Sequence, residues 1–313
     1  MKLFIFTVLI TAFGLLSCNT GAQEPDNTIP MYGNVVKSEG YKKIDEEFIE
    51  HSKKQFGTID SATKAYVDFA WRYFYNNDLK TAMKRFNQAW LLDDACPDTY
   101  FGFAALTEIQ GNKAEANKYY EIGIAKDKTG KRATICFQRI ADCKEQLGDI
   151  SGTIEAYSKI LAINPSNAFA LKKAGYFQMQ TGNHEKALAA YNKAIALDPG
   201  DAMTYNNRAY LYQTIKDHKN ALTDYNKAIE LDAQYIGAYV NRGLLAMEIK
   251  HYEAAVKDFE TSIKLDAAAP ELRKFLGLAK LSLKDKSGAC ENFKEAKKLG
   301  DTQIEELIQQ NCK

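Results

Sequence analysis

The sequence predicts an all-α chain of stacked helix pairs, and three observations carry that prediction. First, wording recurs at a fixed distance. Residues 187–198 read ALAAYNKAIALD, and 34 residues later 221–232 read ALTDYNKAIELD. Second, the apolar residues inside each recurrence fall at helical spacing. Third, only 6 prolines occur in 313 residues, and those inside the repeating region sit where a helix would start or has just ended.

The first element is unlike the rest. Residues 1–17, MKLFIFTVLITAFGLLS, carry one Lys and then an apolar run too short for a comfortable transmembrane helix. This is the layout of a secretory signal. The run stops at Leu15-Leu16-Ser17-Cys18, which resembles the bacterial lipobox, where a small residue precedes a Cys that is acylated and becomes the new N-terminus. Lys2 is the one charged residue in 1–17, so the chain from Cys18 onward carries equal numbers of basic and acidic side chains. Balanced charge gives no footprint for a nucleic-acid partner. Residues 18–40 are rich in Asn, Thr, Gly and Pro and are expected to be a flexible tether. Within 41–62, Tyr41, Ile44 and Phe48 share one helical face and predict an extra helix over 41–56.

From Thr63 the period of 34 organises the chain into seven blocks: 63–96, 97–130, 134–167, 168–201, 202–235, 236–269 and 270–303. Only 131–133 break the register. Position 8 of every block is small, as in Ala70, Gly175 and Gly277, and position 24 is always aromatic, as in Phe86, Tyr191 and Phe293. Positions 20 and 27 are mostly small. Small residues let two helix backbones approach, and the aromatic ring fills the space left between them. A Gly, Asn or Asp break falls mid-block and predicts the turn between two helices. One such pair cannot bury both its faces, so neighbours must stack. Beyond the last block, 304–313 place Ile304, Leu307 and Ile308 on one stripe with polar residues outside. That is the cap a solenoid needs for solubility.

The pattern resembles the tetratricopeptide repeat (TPR) over about 240 residues, with NPSN (164–167), DPGD (198–201) and NNRAY (206–210) as typical wording. The resemblance implies a right-handed α-solenoid whose first helices line a concave groove that binds proteins or peptides. Carried onto this chain, the groove residues are Trp71, Phe74, Tyr75, Phe101, Phe169, Lys172, Tyr176, Met179, Met203, Asn206 and Tyr210. The carboxylate clamp of the best-known members is matched only in part. Lys172 and Asn207 fit, whereas Tyr176, Gly237 and Asn241 replace clamp residues. Chaperone-tail binding is therefore not expected.

Catalytic chemistry finds little support. His184 and His218 share one repeat position, so they are expected about 10 Å apart, too far to share one zinc ion. Gly123 and Gly130-Lys131 have the wrong spacing for a phosphate loop, and Arg132 stands where Ser or Thr should. No cofactor, no metal and no enzymatic activity are expected. Cys136 and Cys143, seven apart on one helix, are about 10.5 Å apart along it, beyond disulfide reach. Cys290 and Cys312 could meet if the cap folds back, and an exported protein permits that bond. The expected whole is a bacterial envelope lipoprotein anchored through acylated (palmitate-type) Cys18. Its place is the outer membrane, on a periplasmic or surface face. Its task is that of a non-catalytic scaffold for a protein partner. A glycan- or peptidoglycan-binding lipoprotein using aromatic groove residues is the alternative.

Overall fold

A computed structural model describes residues 24–312. The expected signal segment 1–17 and Cys18 lie outside the described residues. Every regular element among those described is helical. The chain divides into two compact units between Lys128 and Thr129, beside the register break at 131–133.

The first unit contains α1 (Glu39–Phe56) and two antiparallel pairs, α2 (Ile59–Tyr75) with α3 (Leu79–Leu92) and α4 (Pro97–Ile109) with α5 (Lys113–Lys126). The second contains five pairs and a cap. They are α6 (Ala133–Gln146) with α7 (Ile150–Ile163), α8 (Ala168–Gln180) with α9 (His184–Leu197), and α10 (Ala202–Thr214) with α11 (His218–Leu231). Then follow α12 (Ile236–Glu248) with α13 (Tyr252–Leu265), α14 (Pro270–Ser282) with α15 (Lys286–Lys298), and α16 (Glu305–Asn311). This is an α-solenoid architecture.

The turn inside each pair has one fixed device. Position 15 adopts a left-handed backbone in all seven pairs, at Asn77, Gly111, Gly148, Gly182, Lys216, Lys250 and Lys284. A left-handed residue is the common way to end a helix. The next residue begins the second helix. Asp78, Asn112, Asp149, Asp217 and Asp285 each accept a hydrogen bond from a backbone N–H of the first turn. Each such cap is worth about 1 kcal/mol. His251 occupies the same capping position before α13 without such a bond.

The core follows from the pairing of positions 8 and 24. Phe86, Tyr157, Tyr191, Tyr225, Phe259 and Phe293 are fully buried. A Cβ added at Gly175 would stand 2.8 Å from the Tyr191 ring, so glycine is what lets that ring lie against α8. Each buried ring contributes roughly 1.5–3 kcal/mol. At the C-terminal end, Ile304 is buried against Phe293 and Ala296, with Leu307 and Ile308 packed beside it. Cys290 and Cys312, 22 residues apart, are joined by a disulfide with a Cα–Cα distance of 5.5 Å. Closing a loop of that length stabilises by about 3 kcal/mol in the chain-entropy account.

Two expectations need correcting. The stretch 18–40 is not tether throughout. The Asn87 side chain on α3 donates to the carbonyls of Asn27 and Ile29 and accepts from the Tyr32 N–H. Pro30 is buried, and Lys37 pairs with Asp45 of α1. Low apolar content hid this segment because polar groups hold it. Second, α2 begins at Ile59, because the Thr58 hydroxyl accepts from the Ser61 N–H and starts the helix a turn early. Beyond that turn, Tyr66 of α2 partners Phe48 and Phe56 of α1, at ring distances of 5.4 and 5.9 Å.

Candidate protein-binding face

The expected groove residues separate into an exposed row and a packed remainder. The row lies in the second unit. Phe169 on α8 and Met203 on α10, both at position 2, are 47% and 48% exposed; Tyr176 and Tyr210, both at position 9, are 37% and 49% exposed. Positions 2 and 9 are two helical turns apart and share a face. Ile135 at position 2 of α6 is 65% exposed and extends the series. The groove set carried over from the resemblance omits it. Its signal was simply its repeat position.

Apart from Tyr75, the other members are built in. Phe101 is a correction: it is buried, and a Cβ on Gly123 of α5 would meet its ring at 2.3 Å. The ring occupies the space Gly123 leaves, and glycine at position 27 opposite a bulky position 5 was the available clue. That contact also gives Gly123 a packing role. Asn206 is likewise buried, and its side-chain oxygen accepts from Asn241 of α12 at 3.0 Å. Met179 is half-buried against Tyr191 and Leu211. In the first unit, Trp71 meets Phe74 edge-on at 5.2 Å and Phe86 edge-on at 5.2 Å, and stacks on Tyr75 at 5.9 Å. Those rings spend much of their surface on each other, although Tyr75 remains exposed.

Charge is scarce and mostly neutralised beside the row. Lys172 donates to Asp201, the N-cap of α10, at 2.8 Å. Burial pushes the Asp201 carboxyl up, but its bonds from Lys172 and Thr204 outweigh this and hold it below the ordinary carboxylate value. Lys173 pairs with Glu145 at 3.0 Å. Beneath the face lie Tyr191 and Tyr225 of position 24, a position that Tyr120 holds in the first unit. Tyr225 donates to Gln213 Oε1 at 3.0 Å and Tyr120 to Glu108 Oε2 at 2.7 Å. The Tyr191 hydroxyl is buried without a partner. Position 12 of its pair is Met179, which offers no carboxylate or amide oxygen, and burial pushes the Tyr191 phenol well above its ordinary value. Exposed rings and a methionine over a neutralised floor suit apolar contact with a partner surface.

An array of helix pairs, each with a small residue opposite a buried ring, defines a helical repeat protein. The chain carries tetratricopeptide repeats. The family model described as TPR repeat matches 175–216, and two described as tetratricopeptide repeat match 202–235 and 236–268. No curated protein matches the sequence. Among solved structures, a tetratricopeptide repeat protein from Parabacteroides merdae is 19% identical with a TM-score of 0.58, covering 80% of this chain and 99% of that one. The C-terminal part of a TPR repeat-containing protein from Cytophaga hutchinsonii is 19% identical with a TM-score of 0.61, covering 76% and 96%. YrrB, a TPR protein with an unusual peptide-binding site, is 19% identical with a TM-score of 0.51, covering 62% and 96%. At these identities the likeness is one of fold.

Proposed function

We propose that the protein is a scaffold that binds a protein or peptide partner through the α8–α10 face, held at a bacterial envelope membrane by a lipid on Cys18. The observation that carries the binding part is the exposed row Phe169, Tyr176, Met203 and Tyr210, set at regular intervals beside paired charges. Aromatic and methionine side chains of this kind dominate interface energetics. A peptide is also the class of ligand named for YrrB, which shares the fold. The anchor rests on the lipobox-like Leu15-Leu16-Ser17-Cys18, and the Cys290–Cys312 bond suits an oxidising compartment.

The test is cross-linking capture from native membranes, comparing the natural chain with Phe169→Ala/Tyr176→Ala/Tyr210→Ala at equal helix content by circular dichroism. Specific proteins held by the first and lost by the second are expected. Equal capture by both overturns the assignment of the face. In parallel, Cys18→Ser should abolish labelling by a palmitate analogue and release the protein from the membrane fraction.

A further inference from the structure

A second feature lies about half a turn around the helix from positions 2 and 9. Arg208 of α10 and Arg242 of α12 stand at the same repeat position and hold the same frame. Each guanidinium binds both oxygens of an aspartate 16 residues on, Asp224 at 2.7 and 2.8 Å and Asp258 at 2.9 and 2.6 Å. Each also donates to an asparagine of the preceding pair, Asn192 and Asn226, both at 2.6 Å. Each lies near the ring one turn before it, Tyr205 at 5.6 Å and Tyr239 at 5.7 Å.

The frames differ at the next turn. Arg208 has a second ring, Tyr212, at 5.8 Å. The corresponding residue after Arg242 is Ala246. Around Ala246 a cleft of about 270 Å³ opens, lined by Leu222, Asn226, Arg242, Leu245, Ile249 and Asp258. Most of these have their counterparts in the filled frame, where Leu188, Asn192, Arg208, Leu211 and Asp224 occupy the same repeat positions. The volume is below the roughly 300–1,000 Å³ of small-molecule sites, and is of the order of one large side chain.

We infer that this cleft receives a tyrosine side chain presented by a partner protein, whose ring takes over the place that Tyr212 fills one repeat earlier. The neighbouring repeat thus displays the occupant's chemistry. A ring entering there would lie near the Arg242 guanidinium, within the distance of about 6 Å over which a cation and an aromatic face attract. Its flanks would contact Leu222, Leu245 and Ile249. The hydroxyl would face the polar margin, where His251 and Lys257 also line the cleft. The site is separate from the α8–α10 face and stands independently of it.

The experiment is alanine-methyl NMR on the full chain titrated with the blocked tripeptide Ala-Tyr-Ala and, as control, Ala-Leu-Ala. The methyl signals of Ala246 and Ala254 should shift with the tyrosine peptide, with at least severalfold weaker response to the leucine peptide. In Ala246→Tyr, which copies the filled frame, the Ala254 shift should vanish. In Tyr212→Ala, which copies the open one, the signal of Ala221 beneath Tyr212 should begin to respond while those of Ala246 and Ala254 still do. Unmoved signals in the natural chain, equal response to the two peptides, or an undiminished Ala254 shift in Ala246→Tyr overturns the inference. Should Ala246→Tyr fail to fold, the Tyr212→Ala variant decides alone: no response at Ala221 overturns it.

Discussion

The pairs α8/α9 and α10/α11 are built from almost the same words and yet differ inside. Their second helices share the Ala, Leu, Tyr, Asn, Lys, Ala and Ile of 187–195 and 221–229. In α10/α11, Arg208 binds Asp224, whereas the same two positions in α8/α9 are Ala174 and Ala190. Both members of the pair change together, so neither repeat leaves a buried charge alone. At position 12 the exchange is not matched. Gln213 satisfies Tyr225, but Met179 leaves the Tyr191 hydroxyl without a partner. The turn differs too, with Gly182 where the other pair has Lys216, both left-handed. A repeat frame thus tolerates large differences in polarity when they come in compensating pairs, and bears a visible mark where they do not.

That comparison can be broken most strongly at the ion pair. Arg208→Ala should cost about 3 kcal/mol or more, because Asp224 is left buried and unpaired. The double variant Arg208→Ala/Asp224→Ala, copying the α8/α9 pair, should recover most of that loss in urea denaturation. A double variant no more stable than the single one would show that the pairing is not what balances the two repeats. Next in size, Gln213→Met copies Met179 and strands the Tyr225 hydroxyl. The expected loss is about 1–3 kcal/mol, read from the same unfolding curves, and no loss would mean that water serves the phenol equally well. Smallest is the turn. Gly182→Lys, copying Lys216, should cost about 1 kcal/mol from the left-handed backbone alone, since nothing stands within 4 Å of the added Cβ. A melting temperature unchanged by this substitution would remove the turn from the list of differences that matter.

The helix pairs were legible because period, small positions and aromatic positions all report one packing rule. Gly175 and Tyr191 sit in register in the sequence and in contact in the fold. The turns were half legible: glycine announces a left-handed residue at Gly111 and Gly148, but Lys216, Lys250 and Lys284 adopt it with no such sign. The face was legible in kind and less so in membership. Repeat position puts a residue on a helix face, but the residue opposite decides whether it emerges. Phe101 sinks because Gly123 leaves it room, and Asn206 turns inward to Asn241. The open cleft could not be read from any single block. It requires knowing that Tyr212 and Ala246 share one frame and that only one of them fills it.

The clasp of Asn87 on Asn27 and Ile29 sets a length scale. Between Cys18 and Asn27 there are nine residue steps. An extended chain gains at most about 3.3–3.6 Å per residue, so this leash spans roughly 30 Å at full stretch. With Cys18 acylated as proposed, the clasped residue Asn27 could never stray farther than that from the bilayer. The first unit would sweep a thin shell above the lipid, and a partner seated in the same membrane would meet it by lateral diffusion in two dimensions.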